Sequence, residues 1–127
     1  MEEQLPEYYI VVERPVKVVA TEDGGMTVLK YNFETGQFDY GMEYLSRLRF
    51  GKDDVEKVSE EAFVQHVEKL RGRAVKGEGP VYVLYELINA MEDDAEEKGQ
   101  ALTMEEKALI VSIRRQTYEL FEEMYRS

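Results

Sequence analysis

Apolar and polar positions change period along this chain, and the change divides it. From Tyr8 to Ala20 the run YYIVVERPVKVVA is dense in β-branched and aromatic residues, which predicts extended structure. Pro15 cannot donate to a strand ladder, so it is expected to mark a bulge, an edge or a break between two short strands. TEDGG then reads as a hairpin turn, with Gly24 and Gly25 free to take positive φ. MTVLKYNF predicts a further strand, ETGQ a second turn, and FDY a return strand. Together these predict an antiparallel β-meander of three to four strands.

Helical spacing takes over next. Met42, Leu45 and Leu48 fall on one helix face, and Gly51 suits its C-terminal stop. After GKDD, VEKV reads as a short strand. Ser59 followed by Glu60 and Glu61 is an N-cap with acids where the helix dipole favours them, and this helix is expected to end near Arg71. RGRAVKGEGP is the one linker-like stretch. Beyond it, Leu84, Leu87, Ile88, Met91 and Ala95 form a helical stripe. Thr103 and Glu106 spell a capping box, and the helix they open carries Leu109, Ile110, Ile113, Thr117, Leu120, Phe121 and Met124 on one face. The short turn KGQAL implies that these two helices pack antiparallel. The expected fold class is therefore α+β: a meander with one or two helices, then a C-terminal helical hairpin. It forms one domain over 1–127, with the meander and its helices in 7–72, a linker in 73–80 and the hairpin in 81–127.

The last helix has a second stripe, Val111, Tyr118 and Tyr125, at seven-residue spacing. A heptad-spaced row on a long helix packs either on the meander of its own chain or on a second copy. The expectation favours the second copy, a homodimer through the C-terminal helices.

Composition narrows the function classes. The chain has 127 residues, enough for one core, with 43% hydrophobic and 34% charged residues, which is ordinary for a folded protein. It has no cysteine, so thiolate nucleophiles and cysteine metal sites are excluded; the cytoplasm is the expected compartment. The N-terminus is acidic and lacks the basic region of a secretory signal, and no apolar run approaches the roughly 20 residues that span a bilayer. The net charge is −11, which repels phosphate backbones and anionic lipid. Neither a nucleic acid nor a membrane is an expected partner.

Candidate chemistry is sparse. His66, the only histidine, lies beside the Phe63, Val67 and Leu70 stripe with no second imidazole to share a metal, so it reads as structural. The carboxylates of Glu92, Asp93, Asp94, Glu96 and Glu97 and those of Glu119, Glu122 and Glu123 suggest magnesium binding by a nucleotide hydrolase. In an antiparallel hairpin, however, Glu119 stands about 18 Å from the first cluster, and metal–oxygen bonds of about 2.0–2.6 Å do not bridge that gap within one chain. Only an oligomer would supply the site. TEDGG lacks the ligand pattern of a calcium loop, GEG lacks that of a phosphate loop, and Ser46, Ser59 and Ser112 occupy helical or capping positions. The basic run Lys69, Arg71, Arg73 and Lys76 reads as solvated linker, since no stacking aromatic accompanies it. The meander followed by VEKVSEEAFVQHVEKLR resembles the make-up of many small bacterial proteins, and no activity follows from that.

The sequence thus points to a non-catalytic, acidic protein–protein interaction module with a basic partner, in the style of an inhibitor or immunity protein. The alternative is a magnesium-dependent nucleotide hydrolase built in an oligomer. No catalytic, cofactor-binding or metal-binding residue is assigned, and no cofactor is expected. The candidate interaction surface is Val111, Tyr118, Tyr125, Glu92, Asp93, Asp94 and Glu96.

Overall fold

The computed structural model describes residues 5–51 and 54–126. Two positions of the GKDD stretch, Lys52 and Asp53, lie outside the described residues. Five strands, β1 (Glu7–Val11), β2 (Arg14–Ala20), β3 (Met26–Tyr31), β4 (Phe38–Tyr40) and β5 (Val55–Val58), form one sheet in the order β4-β3-β2-β1-β5. Every pairing is antiparallel. The meander is as expected, and VEKV adds a fifth strand at the β1 edge.

The run from Tyr8 to Ala20 breaks at Val12–Glu13, not at Pro15. Val11 pairs with Arg14 across a two-residue loop, and Ile10 pairs with Pro15. Residues flanking such a loop form a hydrogen-bonded pair, so the next pair does not, and the Pro15 nitrogen faces β3. The β2–β3 ladder begins only at Val16 opposite Lys30, so the missing donor at Pro15 is not needed.

Alternation sends Tyr9, Val11, Val16, Val18 and Val28 to one face, where Leu48 of α1 (Leu45–Phe50) covers them. A 3-10 turn, Met42–Tyr44, leads into α1. The opposite face carries Tyr8, Ile10, Tyr31, Phe38 and Val58, packed on Phe63 and Val67 of α2 (Glu60–Ala74). The Ser59 hydroxyl accepts a bond from the Ala62 amide at 3.1 Å and starts α2. This helix continues to Ala74, three residues past the expected end, because Arg71 and Gly72 are engaged by their neighbours rather than solvated.

Pro80 opens α3 (Pro80–Glu97), and the Thr103–Glu106 capping box opens α4 (Met104–Met124), with reciprocal bonds of 3.0 and 2.8 Å. Gly99, at φ +66, supplies the left-handed residue that ends α3. The two helices form the expected hairpin through Ile88, Ile110 and Ile113, and through Tyr82, Tyr85 and Phe121. The hairpin also packs on α2, so α2 is covered by the sheet on one side and by α3 and α4 on the other. No helix among the described residues is long and apolar enough to cross a membrane.

Candidate interaction surface

Because α2 is covered twice, it buries a second stripe besides its apolar one. Val64, Glu68 and Arg71 sit at helical spacing beside the Phe63–Val67 row, and all are buried. Arg71 is fully enclosed and uses its guanidinium on three elements. Its Nε donates to the Gly36 carbonyl at 2.8 Å, Nη1 to Glu68 at 2.8 Å, and Nη2 to Glu122 of α4 at 2.5 Å. The guanidinium also lies 3.9 Å over the Phe121 ring. Gly36 must be glycine here: its φ is +77, and a Cβ would meet Val75 at 2.7 Å.

The network continues on both sides. The Tyr85 hydroxyl of α3 donates to Glu68 at 2.7 Å, and Lys17 of β2 reaches Glu122 at 3.4 Å and the Tyr118 hydroxyl at 3.3 Å. Two cations, Lys17 and Arg71, thus face two anions, Glu68 and Glu122. Burial pushes the Glu68 carboxyl up, against the pull of Arg71. Burial draws the Lys17 ammonium down, partly offset by Glu122. For Arg71, burial also acts to lower the pKa, but Glu68 and Glu122 outweigh it and the guanidinium stays charged. Burial raises the Tyr31, Tyr85 and Tyr118 phenols, Tyr31 to about 12. The arrangement joins sheet, α2, α3 and α4 by mutually paired charges.

The basic run read as a linker is therefore divided. Arg71 is the buried hub, and Arg73 closes on Glu92 and Asp93 at 3.3 and 3.0 Å. Lys69 and Lys76 are exposed. A cleft of about 240 Å³ between α2, α3 and α4 has Arg73, Asn89, Glu92 and Arg114 among its lining. Arg114 also takes Glu92, at 3.3 Å, and Asn89 donates to the Gly72 carbonyl at 2.9 Å, so these polar groups already bind one another.

His66 donates from Nε2 to the Glu13 carbonyl at 2.9 Å and ties α2 to the β1–β2 loop. Among the described residues, no group of three or more His, Cys, Asp or Glu side chains is placed to hold a metal ion. The expected acidic cluster points in several directions. Glu92 lies inward on Arg73 and Arg114, Asp94 pairs with Lys98 at 3.2 Å, and Glu96 is exposed.

The stripe Val111, Tyr118 and Tyr125 divides as well. Tyr118 packs on the sheet with Tyr31 and Phe63, so the chain itself uses the middle of the row. The Val111 carbonyl accepts from Gln65 at 3.0 Å while its side chain stays exposed. Tyr125 rests on Phe121 and shares a 2.9 Å bond with the Tyr82 hydroxyl. The surplus apolar surface on α4 lies elsewhere. Leu109, Leu120 and Met124, expected inside the hairpin, are exposed together with Leu87 of α3. The sequence signal for this was an apolar face wider than one partner helix covers.

Comparison with family models, with curated proteins and with solved structures finds no match to this chain.

Proposed function

We propose that this protein is a non-catalytic, acidic interaction module that binds a protein partner through a basic surface, as an inhibitor or immunity-type protein does. The observation that carries the reading is α3. Between Pro80 and Glu97 it has six acidic residues, Glu86, Glu92, Asp93, Asp94, Glu96 and Glu97, and no basic one. Glu86, Glu96 and Glu97 are exposed and form no ion pair among the described residues, so their charge faces solvent undiminished. Opposite charge on a partner speeds encounter and fixes register. The same field disfavours nucleic acid and anionic membranes, and the proposed setting is the cytoplasm. A homodimer through Val111 and Tyr125 has weaker support, because Tyr118 between them belongs to the sheet-facing core.

Affinity capture from the native host tests the reading. The wild-type protein is compared with a variant carrying Glu86→Gln, Glu96→Gln and Glu97→Gln. A basic protein retained by the wild type and lost from the variant is the expected result. A partner retained equally by both would overturn it.

A further inference from the structure

Two apolar rows border the seam between α3 and α4 on the side away from α2. On α3, Val83, Leu87 and Met91 follow one another at four-residue spacing; on α4, Leu109, Ile113, Leu120 and Met124 follow at spacings of four, seven and four. Met91 and Ile113 join the same buried cluster, which places the two rows against one seam. Away from that contact the rows are open: Val83 is 62% exposed, Leu87 45%, Leu109 50%, Leu120 37% and Met124 46%. Single exposed leucines are ordinary, but five large apolar side chains along one seam are an interaction surface.

We infer that this seam is a docking groove for a basic amphipathic helix of a partner protein. The inference rests on the proposed acidic interaction function and gives it a location. From Leu109 to Met124 the α4 row runs about 22 Å, the length of a helix of about 15 residues. Such a helix lays its apolar face along a groove through anchors one and two turns apart. Charge selects the occupant. The α3 side of the groove has no basic residue in the whole helix, and Glu105 stands exposed beside the α4 row with no ion pair among the described residues, while Asp94 and Glu123 at the ends are paired with Lys98 and Arg126. A second copy of this chain would bring two acidic α3 helices together, which like-charge repulsion opposes. A partner helix with lysine and arginine on its polar edges meets both requirements.

The test uses the full chain and a synthetic amphipathic helix of about 15 residues built from leucine and lysine at helical spacing. Its controls are the same composition in scrambled order and a leucine–glutamate version. The patterned lysine peptide is expected to bind, with amide shifts centred on Leu87, Leu109, Leu120 and Met124. Leu87→Ser plus Leu120→Ser is expected to weaken it by about tenfold or more. Both leucines are exposed, and unchanged thermal unfolding confirms that the variant is folded. Equal binding of the scrambled peptide, or shifts confined to other elements, would overturn the groove. If the captured host partner loses affinity with the α3 charge variant but not with the leucine variant, the groove fails and the acidic interaction function stands. If no basic protein binds at all, both fail. Sedimentation as a dimer that Leu120→Ser dissociates would assign the groove to a second copy and would also overturn the inference.

Discussion

Val12 is the one described residue other than glycine with positive φ, at +62, and it is β-branched. It occupies the first position of the Val12–Glu13 loop, where a type II′ turn calls for glycine. Its side chain is largely exposed, so packing does not repay the strain. Val12→Gly is expected to raise stability by about 1 kcal/mol in urea unfolding, and a loss of stability would contradict this account of the turn. Tyr31 carries the opposite kind of misfit: it is fully buried and its hydroxyl has no partner. Removing an unpaired buried hydroxyl relieves roughly 1 kcal/mol, so Tyr31→Phe is expected to unfold at higher urea. A destabilised Tyr31→Phe would contradict this account of the hydroxyl. At this scale the sequence was only partly legible. His66, read as structural because it had no companion, holds the Glu13 carbonyl, whereas nothing in YYIVVERP announced a strained valine, since turn chemistry there uses a residue that propensity assigns to a strand.

Elements were more legible than the contacts between them. Ser59, the Thr103–Glu106 box and the TEDGG turn all appear where their local chemistry predicts, because each is satisfied within a few residues. Arg71 was not legible. Its partners Gly36, Glu68 and Glu122 lie far apart in sequence except for Glu68, and a glycine-rich neighbourhood disguised it as linker. A helix covered on both sides was the missing premise, and periodicity reports one face at a time. The hub gives a sharp expectation. Arg71→Met leaves Glu68 buried without its cation and the Gly36 carbonyl without its donor, at a cost of about 3–5 kcal/mol. Adding Glu68→Gln should recover part of that loss in urea unfolding. A cost below about 1 kcal/mol for Arg71→Met would show that the paired charges contribute little to holding the layers together.

For the whole molecule, the buried phenols set an alkaline limit. In the unfolded chain tyrosine ionises near 10, while folded Tyr31 holds its proton to about 12, and Tyr85 and Tyr118 are also raised. Between those values the folded state binds more protons than the unfolded one, so the contribution of these phenols to stability falls as pH rises through that window. The lowered Lys17 acts the other way, since its desolvation is relieved on deprotonation, but it is one group against five raised phenols, Tyr8 and Tyr82 included. Urea midpoints are expected to drop between about pH 10 and about pH 12, and a flat profile would contradict the burial of these hydroxyls. The α+β class and the hairpin followed from periodicity; the outer seam did not, because a wide apolar stripe looks the same whether it is covered or left open. The net charge of −11 and the basic-free α3 make electrostatic attraction the central claim. The measurement that tests it most directly is the affinity of the captured host partner from low to high salt. The account predicts weakening on the order of tenfold as added ions screen the acidic surface, and an affinity that stays constant across the range would contradict it.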